Sequence, residues 1–171
     1  SKFNSSPSTM HFNISASSMF GLPVTFSSSD TLVAKFLSEK LHIVKSGTCN
    51  IFADQTGNDS VKIAPRITQP LVINKKNITI TAQSVSKLYG ESVPPFAFAS
   101  SGLVTNDQIG SVTFTTTATE LSDAGIYDLT PSAAVFSAGS LDNYNINYVK
   151  GSLTIDKVGQ NIIFFPLSYK N

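Results

Sequence analysis

The sequence predicts a mostly β protein of two successive modules with at most one short helix, and three observations carry that expectation. Apolar residues recur with a period of two in short stretches bounded by Gly, Pro, Asn and Ser along the whole chain. No window of a dozen residues sustains the i, i+3, i+4, i+7 spacing of an amphipathic helix. Charged residues make up only 13% of the 171, against about 25% in an ordinary soluble domain. Ser, Thr and Asn supply the missing polarity, and their hydroxyls and amides suit strand faces and turns better than helix interiors.

Taken in order, the alternation places strands at residues 11–15, 24–27, 33–37, 41–45, 49–53 and 71–74. A second set is expected at 78–83, 97–99, 112–116, 125–130, 145–149 and 152–155. The stretch from Asp30 to Glu39 carries a mild helical pattern. However, Ser38-Glu39-Lys40 between two apolar runs predicts a hairpin turn, so the segment reads as strand, turn, strand. The single helical turn is expected near Thr105-Asn106-Asp107-Gln108, with Thr105 capping the following amides. In Gly47-Thr48-Cys49-Asn50-Ile51-Phe52-Ala53, strand parity puts Cys49, Ile51 and Ala53 on one face. One cysteine cannot form an internal disulfide and is too few for a zinc or iron–sulfur site, so Cys49 is expected in the core.

The halves echo each other. Leu71-Val72-Ile73-Asn74-Lys75 corresponds in character to Leu153-Thr154-Ile155-Asp156-Lys157, and each is followed by an Asn-Ile strand start, Asn77-Ile78 and Asn161-Ile162. The module boundary is therefore expected near Lys75-Lys76, with each last strand running through a short Lys-containing joint into the next module.

Two resemblances follow. Gly21-Leu22-Pro23-Val24-Thr25-Phe26-Ser27-Ser28-Ser29-Asp30, Val33-Ala34, Gly47-Thr48, Ile51 and Ala53-Asp54-Gln55-Thr56-Gly57-Asn58 resemble the bacterial immunoglobulin-like repeat of very long surface proteins. The departures are Cys49, where Ala is common, and two extra residues around Ser17 to Phe20. Tyr89-Gly90-Glu91 with Pro94 and Phe96, Ser101-Gly102-Leu103-Val104 with Asp107, Ala124-Gly125-Ile126-Tyr127 with Thr130-Pro131-Ser132, and Asn143-Tyr144 leading to Tyr148 and Gly151-Ser152-Leu153-Thr154-Ile155 resemble the MBG module. That module is a mirror β-grasp domain of bacterial adhesins, of the Tyr-Gly type. The resemblance implies an immunoglobulin-like β-sandwich over 1–75, a small β-grasp-like module over 76–157, and the opening strand of another repeat over 158–171. It also implies a module that stacks in tandem and carries no catalytic residue.

The start at Ser1 is read as a cut from a longer precursor, nearly one period of an array in a shifted frame. The vacant edge of the first module is then expected to take up a strand from Gln160 to Phe165 of another chain.

Function classes narrow in the same way. A net charge of +1 with scattered basic residues gives no footprint for nucleic acid. The longest apolar run, Ile162-Ile163-Phe164-Phe165, stops at Pro166, far short of the roughly 20 residues of a membrane span. His11 and His42 fall in separate strand-like stretches without Cys or carboxylate companions at ligand spacing, so they are read as strand-face residues and no metal is expected. Asp54-Gln55-Thr56-Gly57-Asn58-Asp59 is the nearest approach to a calcium cluster, but its Gly and Asn read first as a turn. No nucleophile elbow, phosphate loop, zinc motif or paired carboxylate is present, so neither an enzyme nor a cofactor is expected. Sequons at Asn13, Asn58 and Asn77 are read as coincidences of an Asn- and Ser-rich chain, and no motif marks an isopeptide crosslink.

Asp123-x-Gly125-x-Tyr127 has the spacing at which a Tyr hydroxyl bonds back to nearby backbone at a strand corner, the alternative for Tyr127 being a sugar-stacking aromatic. Tyr144 and Tyr148 are the candidate ligand-facing residues: exposed on one face they would stack on a surface glycan, although Tyr148 shares parity with Ile146, which favours burial. The expected role is an extracellular, non-catalytic spacer of a bacterial cell-surface adhesin, whose partners are the neighbouring repeats. The alternative is a carbohydrate- or other ligand-binding surface module.

Overall fold

The computed structural model describes residues 11–159. The first six strands are β1 (His11–Asn13), β2 (Thr25–Ser28), β3 (Ala34–Leu37), β4 (Lys40–Ile43), β5 (Gly47–Asp54) and β6 (Ile67–Ile73). They form two three-stranded sheets, ordered β1-β4-β3 and β2-β5-β6, in which every neighbouring pair is antiparallel. Alternation explains the core between them. Ala34 on β3, Leu41 and Ile43 on β4, and Cys49 and Ile51 on β5 are all buried in one cluster, with Phe12, Phe26, Phe36, Leu71 and Ile73 packed against it. The rings of Phe26 and Phe36, one from each sheet, stack with centroids 5.7 Å apart. Burying each large aliphatic side chain stabilises the fold by about 1.5–3 kcal/mol. Cys49 is 4% exposed and takes the core position that its parity predicts.

The hairpin expected within residues 30–45 is present. Ala34 pairs with Ile43 and Leu37 with Lys40, leaving a two-residue turn at Ser38 and Glu39 with φ of 48° and 64°. Two successive left-handed residues match the twist of a tight hairpin. Upstream, the Asp30 carboxylate accepts the Leu32 amide at 2.8 Å, and the Asp30 carbonyl accepts from Val33 and Ala34.

The remaining strands are β7 (Lys76–Ala82), β8 (Val85–Leu88), β9 (Phe98–Ser101), β10 (Gln108–Thr115), β11 (Gly125–Ala138), β12 (Tyr144–Val149) and β13 (Gly151–Asp156). They make a sheet of order β12-β7-β9 and another of order β10-β11-β13-β8. In the second, β11 and β13 are antiparallel, whereas β13 and β8 run parallel, with Leu153 opposite Val85. Contacts divide the chain into two compact units. Among the described residues, one takes in 11–79 with Ser100–Val112 and Ala133–Asn147; the other holds Ile80–Ala99, Thr113–Ser132 and 148–159. The first unit adds a cluster of Ile78, Val104 and Tyr144 with Phe136 and Ile146. The second is built on Ala118, Leu153 and Ile155 with Val85, Phe96 and Tyr127.

Three local expectations need correction. First, β8 is a strand where none is expected from the sequence. Its alternation is masked because Lys87, a charged residue, occupies an inward position and is 5% exposed. Second, β11 runs for 14 residues through Thr130-Pro131-Ser132 to Ala138, where the alternation predicts a strand that ends at residue 130. The inward positions are odd-numbered up to Pro131 and even-numbered from Ala134, and Ala133 between them has φ 46°. One left-handed residue shifts the phase by one, as a β-bulge does, and a bulge is where a strand tolerates proline. Third, Thr105-Asn106 makes only a turn, because Asn106 has φ 74° and Gln108 already begins β10. Among the described residues the helical turn is a 3-10 turn at Leu141–Asn143, capped by the Ser140 side chain accepting from the Asp142 amide.

Candidate functional site

Tyr144 opens β12 and points inward because its strand alternates. It is 4% exposed, and its ring stacks on Phe136 at 5.3 Å. The phenol donates to the Asp107 carboxylate at 2.6 Å and accepts the Val104 amide at 3.3 Å. The Asp107 amide in turn donates to the Val104 carbonyl. One hydroxyl thus satisfies both ends of the 104–107 turn. Burial, then the hydrogen bond to the carboxylate, push the phenol up from 10.0 to about 12. This residue presents no ring face to a glycan. Tyr148 is half-buried on the same strand, so the two candidate residues do not make an exposed aromatic platform.

Tyr127 does what the spacing to Asp123 predicts, donating its hydroxyl to the Asp123 carbonyl at 2.9 Å. The Tyr89-Gly90-Glu91 segment is a turn held from several sides. The Tyr89 amide donates to the Asp156 carbonyl, the Gly90 amide to the Glu120 carbonyl and the Glu91 amide to the Leu88 carbonyl. The Glu91 carboxylate accepts the Leu88 amide at 2.8 Å. Gly90 sits at φ 83°, a conformation glycine adopts without a Cβ penalty. Beneath the turn the Lys87 ammonium donates to the Glu91 and Glu120 carbonyls at 2.9 and 3.0 Å. A long cation inside the core is thereby bonded to two loops at once.

Residues 78–154 match the family model of the MBG domain, YGX type.

Tyr89-Gly90 and the turn just described lie within the matched span. Lys87, Tyr127, Asp107 and Tyr144 all lie within the matched span. A search of the curated proteins matched none.

Outside the matched span, Asp54 closes β5 and the turn expected from the Gly and Asn of 54–59 lies at its far end, where Asn58 and Val61 exchange backbone hydrogen bonds. The Asn58 carboxamide accepts the Ser60 and Val61 amides at 2.9 and 2.8 Å. Arg66 donates to both Asp54 oxygens at 2.8 and 3.0 Å and lies 4.7 Å over the Phe52 ring. Among the described residues no group of three or more His, Cys, Asp or Glu side chains is gathered around a common point. None of them forms a helix long and apolar enough to cross a membrane. The strand-exchange segment from Gln160 to Phe165 lies outside the described residues.

Sequence reasoning missed Lys87, and the one signal available was its even spacing from Val85. It also missed two contacts between residues far apart in the chain. Ser46 donates its amide to the Asn143 side-chain oxygen at 2.8 Å and its hydroxyl to the Asp142 carbonyl at 2.7 Å, both inside the first unit. His11 lies directly opposite His42.

Proposed function

We propose that the chain is a non-catalytic spacer segment of a large bacterial cell-surface protein, in which an immunoglobulin-like sandwich is followed by the MBG module. MBG domains are typical of bacterial surface proteins. The observation that carries the spacer reading is the joint. Strand β6 ends at Ile73 and β7 begins at Lys76, a connection of Asn74 and Lys75 too short to act as a flexible tether. Beside it, Ser46 bonds twice to the 3-10 turn at Leu141–Asn143. Short joints braced by hydrogen bonds let one folded piece orient the next, as a stalk requires. The deployment of the aromatic residues supports the same reading, since Tyr144 and Tyr127 spend their hydroxyls on backbone and core partners. The deciding experiment is backbone ¹⁵N relaxation on the whole chain. Residues 11–73 and 78–154 should report one shared correlation time. Two shorter, independent values would sink the spacer reading.

A further inference from the structure

We propose that His11 and His42 form a two-imidazole site for a divalent transition-metal ion of the Cu²⁺, Ni²⁺ and Zn²⁺ class. The residues stand 31 positions apart in sequence, and only the β1–β4 register makes them direct cross-strand neighbours. The next pair in that register, Phe12 and Leu41, belongs to the core, so strand alternation turns both histidines to the outer face. There His11 is exposed and His42 half-buried, and among the described residues β1 is the outermost strand of its sheet. Water and an ion reach the pair from the open side.

The geometry fits chelation. The ring centroids are 5.6 Å apart and the ring planes differ by 29°. An ion bound to two imidazole nitrogens at about 2.0–2.1 Å with a tetrahedral angle holds the two ring centres roughly 5 Å apart. At this spacing a rotation of the side chains that turns one nitrogen of each ring toward a shared point would complete the pair, with solvent filling the other positions. Imidazole suits these borderline ions, and Cu²⁺ is expected to bind most tightly in the class. Lys35, opposite His42 on its other side, is the charged neighbour along this row; its flexible stem lets the ammonium swing into water.

The test is titration of the whole chain with ZnCl₂ in a non-chelating buffer at neutral pH, followed by calorimetry and by the histidine ring resonances in NMR. One ion per chain is expected, with both imidazoles shifting together and the thermal midpoint rising as the ion bridges the edge strand to its neighbour. Either His11→Gln or His42→Gln should weaken binding about a hundredfold, because the second ligand acts at high effective concentration. Both side chains face outward, so unchanged backbone spectra should confirm that each variant folds. No saturable binding to the unsubstituted chain would overturn the proposal. So would binding that survives either substitution.

Discussion

At the scale of single residues, Tyr144 shows how one hydroxyl can hold a loop. Tyr144→Phe removes the bonds to Asp107 and Val104, and a buried polar group that loses its partner costs about 1–3 kcal/mol; urea unfolding should show a loss of about 2 kcal/mol. The same phenol makes stability depend on alkaline pH. Its folded-state pKa of about 12 lies above the ordinary 10.0, so the folded chain holds this proton more tightly. Its contribution is therefore complete below pH 10 and lost as pH rises through 12. Unfolding free energies measured from pH 9 to 12 should fall more steeply for the native chain than for Tyr144→Phe. Two glycines give a paired comparison. A Cβ on Gly90 would meet open space, whereas a Cβ on Gly139, at φ 87°, would collide with the Asp107 carboxyl group. Gly90→Ala should cost only the left-handed strain of about 1–2 kcal/mol. Gly139→Ala should cost clearly more, because the displaced carboxylate belongs to the Tyr144 network.

At the scale of elements, β11 shows a strand surviving a proline. Its bulge at Ala133 places an L-residue in the left-handed region, which costs roughly 1–2 kcal/mol, part of which glycine would return as entropy of the unfolded chain. Ala133→Gly should therefore raise stability by about 0.5–1 kcal/mol in thermal or urea unfolding, and a loss would show that the Ala133 methyl contributes packing that outweighs the strain. Strand β8 poses the opposite case, because its inward Lys87 looks wrong until the Glu91 and Glu120 carbonyls are seen above it. Lys87→Met keeps the apolar stem and removes the two bonds. The expected loss is about 1–3 kcal/mol, with faster hydrogen exchange at the Gly90 amide, whose acceptor is the same Glu120 carbonyl.

At the scale of the whole molecule, the joint at Ser46 is the feature on which the spacer reading rests. Asn143→Ala removes the acceptor of the Ser46 amide, so exchange of that amide should accelerate by an order of magnitude or more while the buried amides of β5 keep their protection. If the Ser46 amide stays equally protected, the side-chain bond is not what braces the loop. Much of the fold was legible beforehand. The hairpin over residues 30–45, the inward Cys49 and the Tyr127 corner could each be read from local alternation or spacing. Tyr144 was read from its type as a candidate ligand-facing residue, and the fold buries it; strand parity tells which residues share a face but not which face is covered.

The sequence by itself determined that the chain is β-rich, roughly where most strands lie though not where they begin and end, and that residues 78–154 match the MBG family model. These depend on period-two alternation and on turn chemistry, both set by neighbours a few positions away. Only the tertiary structure decided that His11 faces His42, that Ser46 reaches Asn143, and that Lys87 lies buried beneath the Tyr89-Gly90 turn. Those outcomes depend on strand register and on which loops close over which face. A shift of one residue turns every side chain of a strand to its other face, and that choice is made by packing across the whole core rather than by any local signal.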